Sequence, residues 1–277
     1  MKKRLVITAD DFGAGRAVNE AVERAHRDGI LTAASLMVSG DAAADAVERA
    51  RRIPTLGVGL HVVLVEGRPT LPPQQVPSLV DATGHFRTDM VRTAITIFAS
   101  PAARRQLEAE IEAQFAAFAA TGLPLDHVNA HKHFHLHPTI AGTILGVGRR
   151  FGMKALRAPI EPGAVLVAID GTRGSSGIEH FWATRMRSRM RRAGLVVPDQ
   201  VFGLAWSGAL DTTRLRGLID HLPDGLTEIY AHPATGPYEA AAPGYRYADE
   251  LAALTDALAK QALTRNGVST GRFADFV

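Results

Sequence analysis

The sequence predicts an α/β fold, about seven parallel strands alternating with helices in one domain. Three observations carry this. Short β-prone apolar runs alternate with helix-like segments from the first residues onward, the rhythm of a parallel sheet. Polar residues suited to chemistry stand at the carboxyl ends of those runs, where parallel β/α folds gather their sites. The 277 residues fit a single β/α barrel, which runs to about 250 residues.

Residues 4–9 read as the first strand and end at Asp10-Asp11-Phe12-Gly13. Residues 17–27 form a helix stopped by Gly29. Residues 33–38 are a second strand, and 41–52 a helix with Asp41 placed as its cap. Residues 57–64 are a third strand, which contains His61. The stretch 66–85 carries Pro69, Pro72, Pro73 and Pro77. It is too long for an ordinary connection, which favours an insertion over the strand ends.

Residues 102–120 read as a helix and 126–130 as a fourth strand. Pro138 suits the first turn of a helix over 138–150. Residues 154–157 are a brief fifth strand closed by Pro159, and 163–177 read as irregular, with a mobile look over 171–177. A basic amphipathic helix follows over 179–192. Residues 201–205 are a sixth strand, 211–221 a helix capped by Asp211, and 227–231 a seventh strand ending at His232-Pro233. A Gly/Pro loop over 234–245 leads to one helix over 247–263, and the tail from 267 adds a last short strand. The organisation is one domain over 1–277, with insertions near 65–90, 163–180 and 234–246.

Composition narrows the class. At 46% apolar and 21% charged residues this is an ordinary soluble globular chain. The absence of cysteine excludes disulfides, zinc–thiolate sites and a thiol nucleophile. A net charge of +3 is too mild to argue for nucleic acid. The start, Met1-Lys-Lys-Arg4, leads into a short apolar run and then two aspartates, unlike a secretory signal. No run approaches the roughly 20 apolar residues of a membrane span, so the expected location is the cytoplasm.

The densest chemistry lies in Asn129-Ala-His-Lys-His-Phe-His-Leu-His-Pro138, which holds four of the 11 histidines. As a strand, all four imidazoles would share a face; as a helix, they would form i,i+4 pairs. Either reading suits a metal site, and so does a merely solvated histidine cluster. The other strand ends carry Asp10, Asp11, His61, Arg157 and His232. Each has an ordinary reading: the aspartates as helix caps, His61 as a satisfied core residue, Arg157 as an ion-pair partner, His232 as a strand end. Their joint placement on one rim favours a site. A carboxylate with two imidazoles is a common ligand set for a catalytic divalent ion, which acidifies water and polarises a carbonyl. Of two adjacent aspartates, one can bind metal while the other takes a proton, and His232 could protonate a leaving group.

Five motifs occur in order: Thr8-Ala-Asp-Asp-Phe-Gly13, Gly59-Leu-His61, Asn129-Ala-His-Lys-His133, Leu156-Arg157-Ala-Pro159 and Tyr230-Ala-His-Pro233. In these the chain resembles the YdjC-like (ChbG-type) carbohydrate deacetylases, relatives of the NodB-like polysaccharide deacetylases. The resemblance implies a distorted (β/α) barrel that removes acetyl groups from N-acetylated sugars with one divalent metal, Zn or Mg, with Co or Ni as alternatives. It implies that Asp10 is the general base, that Asp11, His61 and His131 bind the metal, that Arg157 orients the base and that His232 is the general acid. His133, His135 and His137 are not ligands on this reading. Phe12, His133, His135 and Trp206 are candidates for the substrate rim. Where the family often has Asp-Ser before the first histidine of the tract, this chain has Asn129-Ala130, which removes a carboxylate near the metal.

The histidine tract, Phe202–Gly208 and Thr227–Thr235 most resemble the hopanoid-biosynthesis-associated branch (HpnK-type) of the family. That implies N-acetylglucosamine on a hopanoid glycolipid as substrate. Such a substrate would bring the protein to the inner face of the membrane through 179–193, where Trp182, Met186, Met190 and Ala193 share a stripe flanked by arginines. The same stripe could pack on the barrel instead. A homodimer is compatible with the sequence. The competing readings are another metal-dependent barrel enzyme (a different amide hydrolase, an aldolase or an isomerase) and a non-catalytic carbohydrate-binding protein.

Overall fold

A computed structural model describes residues 2–174 and 177–277. Its elements in chain order are β1 (Lys3–Phe12), α1 (Arg16–Arg27), β2 (Ala33–Leu36), α2 (Ala43–Arg51), β3 (Gly57–Val62), α3 (Met90–Ala99), α4 (Pro101–Ala120), β4 (Val128–Ala130), α5 (Pro138–Arg150), α6 (Gly163–Asp170), α7 (Ile178–Arg192), β5 (Gln200–Phe202), α8 (Thr212–Asp220), β6 (Gly225–Ala231), α9 (Tyr247–Leu254), α10 (Ala257–Arg265) and β7 (Ser269–Thr270). The strands pair in parallel in the order β4-β3-β2-β1-β6-β5, and β7 pairs with the start of β1. Residues 155–160 bridge the remaining gap. Leu156 pairs with Val128, and the Val201 amide donates to the Ile160 carbonyl at 2.8 Å. The result is the expected distorted β/α barrel.

β1 lies at the centre because it is apolar on both faces: Leu5, Val6, Ile7 and Ala9 are all buried. The helices cover the sheet with stripes at helical spacing, such as Val18, Ala21, Val22 and Ala25 of α1 and Leu107, Ile111, Phe115 and Phe118 of α4. α4 also buries two polar side chains that tie down the long insertion. Gln114 bonds both backbone groups of Val63, and Glu110 accepts from the amides of Thr70 and Leu71. Gly59 is held open by a neighbour, since a Cβ there would lie 2.5 Å from the His127 ring. No helix among the described residues is long and apolar enough to cross a membrane.

Several sequence expectations change. β1 runs on through Asp10 and Asp11 instead of ending before them. The fifth strand is reduced to isolated bridges at Ala155 and Leu156, because the chain turns away at Ala158-Pro159. Residues 163–170, expected to be irregular, form α6, and the stretch between the insertion and residue 102, to which the sequence assigns no element, forms α3, whose cap is Asp89. The mobility expected over 171–177 falls partly on residues 175–176, outside the described residues. Asp41 does not cap α2, whose first turn has no side-chain cap, whereas Asp211 caps α8 as expected. The single helix over 247–263 is broken at Thr255-Asp256, where the Asp256 carboxylate caps α10.

Candidate active site

The site lies at the carboxyl ends of the strands and is built around a break in β1. Three β1 steps from Ala9 to Phe12 oppose two β2 steps from Ala34 to Leu36. The extra residue is a β-bulge, and Asp11 takes it up at φ 63°. A regular strand would send Asp10 and Asp11 to opposite faces; the bulge turns both into one cavity. Neither aspartate caps α1, which has no side-chain cap.

The Asp11 Oδ1, His61 Nε2 and His131 Nδ1 atoms form a nearly equilateral triangle. The two imidazole–carboxylate edges are 3.3 and 3.2 Å and the imidazole–imidazole edge is 3.3 Å. Donors bound at about 2.0–2.1 Å around a tetrahedral ion stand about 3.3–3.4 Å apart, so the residues present fit a divalent metal. The outer atoms of the ligands are also committed. His61 Nδ1 donates to Asn129 Oδ1 at 2.6 Å, which leaves Nε2 as the lone pair facing the triangle. His131 Nε2 faces Glu66 Oε2 at 3.9 Å. Burial alone would lower the His131 pKa, but Asp11 and Glu66 outweigh it and raise it to about 9. Burial would raise Asp11, yet His131 and His61 hold it well below the carboxylate range.

Asp10 sits beside this triangle, fully clamped. Arg157 donates Nη1 to Oδ2 at 2.5 Å and Nη2 to Oδ1 at 3.0 Å. Ser35 Oγ donates to Oδ1 at 2.7 Å and Asn129 Nδ2 donates to it at 3.0 Å. Burial would raise this carboxyl, but the Arg157 charge outweighs it and keeps Asp10 ionised far below its ordinary range. Arg157 is itself buried, shared with Glu228 through Nε at 3.0 Å and Nη2 at 2.7 Å, and lies over the Tyr230 ring. Asn129 is therefore a bridge that accepts from one metal-type ligand and donates to the candidate base.

His232 follows β6 and faces the same cavity, between Tyr230 and Tyr245. Its backbone amide donates to the buried Glu250 carboxylate, which also lies 3.9 Å from Nδ1. The cavity has a volume of about 560 Å³. Tyr238, Tyr245 and Tyr247 wall one side and the Glu66–Lys132 ion pair stands at another.

The histidine tract is neither strand nor α-helix. Residues 131–136 form 3-10 turns with Lys132 and His133 in the left-handed region, at φ 52° and 54°. The imidazoles therefore diverge. His131 joins the triangle, His133 bonds the Tyr230 hydroxyl at 2.9 Å, and His135 is buried on the Arg157 carbonyl at 3.0 Å. Of the four rim candidates only His133 lines the cavity. Phe12 lies in the core, His135 is fully buried, and Trp206 is buried with Nε1 on Thr172 Oγ1. Sequence reasoning passed over Ser35, Glu66, Glu228 and Glu250. Glu228 had a signal, a charge inside the apolar run Thr227–Ala231; Ser35 and Glu66 had none.

Fold and site together define a β/α barrel of the YdjC/NodB deacetylase type. The YdjC-like protein family matches residues 4–265, and the chain belongs to that family. It is 30% identical over 281 residues to a carbohydrate deacetylase of Geobacillus stearothermophilus, across 100% of this chain and 99% of that protein. It is 40% identical over 148 residues to a carbohydrate deacetylase of Brevibacillus brevis, across 53% of this chain and 56% of that protein, so about half of that relative is spanned. An Enterococcus faecalis structure, named for cellobiose-phosphate cleavage, superimposes over the whole of both chains with a TM-score of 0.80 at 25% identity.

Proposed function

We propose that this protein is a metal-dependent carbohydrate N-deacetylase that hydrolyses the acetamide of an N-acetylated amino sugar. The observation that carries the reading is the donor triangle of Asp11, His61 and His131 beside the clamped Asp10. A divalent ion held there would acidify water and polarise the acetyl carbonyl. Asp10 accepts the proton of the attacking water on Oδ2, which has only one donor. Arg157 keeps that carboxylate ionised and aimed. His232, across the cavity, hands a proton to the departing amine. A binding protein would need neither the Asp10–Arg157 pair nor this histidine.

The tyrosine-walled cavity suits a sugar ring, whose apolar face packs on aromatic rings while its hydroxyls bond polar groups. The finer reading is N-acetylglucosamine carried by a hopanoid glycolipid, met in the cytoplasm at the inner membrane face. Metal analysis of the purified protein, with acetate release measured over N-acetyl sugars and glycolipids, tests it. Stoichiometric divalent metal and acetate release are expected. Turnover without acetate, or activity that survives chelation, overturns the reading.

A further inference from the structure

We infer that the face of α7 beside the active site is a docking face for an anionic lipid surface. Large apolar side chains are rarely left exposed in clusters on a soluble monomer. Phe181 and Trp182, which open α7, are 54% and 38% exposed.

α7 supplies the charge. The stripe that looked membrane-facing in the sequence is turned inward, with Met186 and Met190 buried. Arg187 and Arg191 are occupied too, since Arg187 donates to the Asp199 carbonyl and Arg191 to the Val197 carbonyl and the Asp199 carboxylate. Arg185, Arg189 and Arg192 have no acidic partner among the described residues. They line a groove of about 490 Å³ with Trp182, Leu136 and Pro138. Phe181 carries Arg185 over its ring and meets Trp182 edge to face. Leu136 ends the same 3-10 segment that places His131 and His133 in the active-site cavity, so the groove lies just behind the site wall. Unpaired arginines among half-exposed aromatic rings match a layer with anionic headgroups above an apolar interior.

Vesicle co-sedimentation without substrate tests this independently of the proposed chemistry. Wild type is expected to pellet at low salt with vesicles of phosphatidylcholine and phosphatidylglycerol, not with phosphatidylcholine alone, and to be released by high salt. Arg185→Gln, Arg189→Gln and Arg192→Gln together should lower partitioning on the order of a hundredfold, at about fivefold per arginine. Phe181→Ser with Trp182→Ser should weaken it as well, while acetate release from a soluble N-acetyl sugar stays at the wild-type rate in both variants. Removing equal charge at Arg24, Arg27 and Arg52 should leave partitioning unchanged. Wild type remaining in the supernatant at low salt overturns the inference. So does an equal loss in the control triple, or a concentration-dependent dimer abolished by the Phe181 and Trp182 changes with no vesicle binding. Vesicle binding by a protein that deacetylates nothing would remove the proposed function and leave the docking face standing.

Discussion

Replacing Arg157 by methionine strands two buried carboxylates at once. Arg157 is fully buried, the Asp10 side chain is 3% exposed and that of Glu228 0%, so no solvent takes over the lost contacts. Breaking a buried pair by removing one partner costs about 3–5 kcal/mol. At about 2–4 °C per kcal/mol for a domain of this size, the melting temperature should fall by about 6–20 °C. The sharper expectation is a change of sign. Glu228→Gln in the wild type trades charge-assisted hydrogen bonds for neutral ones and should destabilise by about 1–2 kcal/mol. In the Arg157→Met background the same substitution removes a stranded charge and should restore about 1–3 kcal/mol. The pH dependence follows from Asp10. Its depressed pKa in the wild type stabilises the fold above the unfolded value of about 3.9, and that contribution is lost as pH falls below it. With Arg157 gone, the largest opponent of burial is lost and only His61, His232 and the Ser35 and Asn129 hydrogen bonds still favour the ionised form, so the gap between the two proteins should widen from pH 4 to pH 7. Denaturant unfolding followed by circular dichroism, on all four proteins of the cycle, measures this. Equal destabilisation by Glu228→Gln in both backgrounds would refute the buried triad as described.

Three further outcomes follow from the site. His61→Ala and His131→Ala should each lose bound metal while keeping the wild-type circular dichroism spectrum, and unchanged metal content by elemental analysis in either would remove that residue from the ligand set. Asp10→Asn should keep metal and lose about 10²–10⁴-fold in turnover, whereas Asp11→Asn should chiefly weaken metal binding; normal metal binding with equal loss of activity in both would exchange or abolish these roles. His131, raised to about 9, should stabilise the metal-free fold below its unfolded value of about 6.5, with the contribution lost as pH rises through 9. Because ligation needs the neutral ring, metal uptake at pH 7 should expel about one proton per ion, fading above pH 9. Calorimetry in two buffers of different ionisation heat reads that number, and no release at pH 7 would contradict it.

The chain's order of strands and helices was legible because a buried parallel strand is a run of apolar residues and a covering helix repeats every three to four. The same patterns put Asp10, Asp11, His61, His131, Arg157 and His232 on one rim, and the structure brings all six together. The backbone at the site was not legible. Asp11, Glu66, Lys132 and His133 are the non-glycine residues at positive φ among those described, and nothing in an aspartate, a glutamate, a lysine or a histidine announces a left-handed turn. The histidine tract therefore looked like a regular element and proved to be a kinked one. Glu110 and Gln114 explain a different gap. They interrupt the apolar stripe of α4, and only their partners in the insertion show why they are buried.

β1 is synthesised before every strand it pairs with, and one of those partners comes much later. Its β6 partner, residues 225–231, follows roughly 220 residues later, a delay of about 10–40 s at ordinary rates of synthesis. β7, which covers the start of β1, comes later still. Until then one edge of an apolar strand has no partner, and an unpaired edge of this kind invites pairing with another chain. A nascent chain of this protein thus carries a half-built sheet throughout that interval. Glu228, the second carboxylate on Arg157, and His232 arrive only with β6, so a product truncated before it lacks part of the site, however much of the barrel it contains.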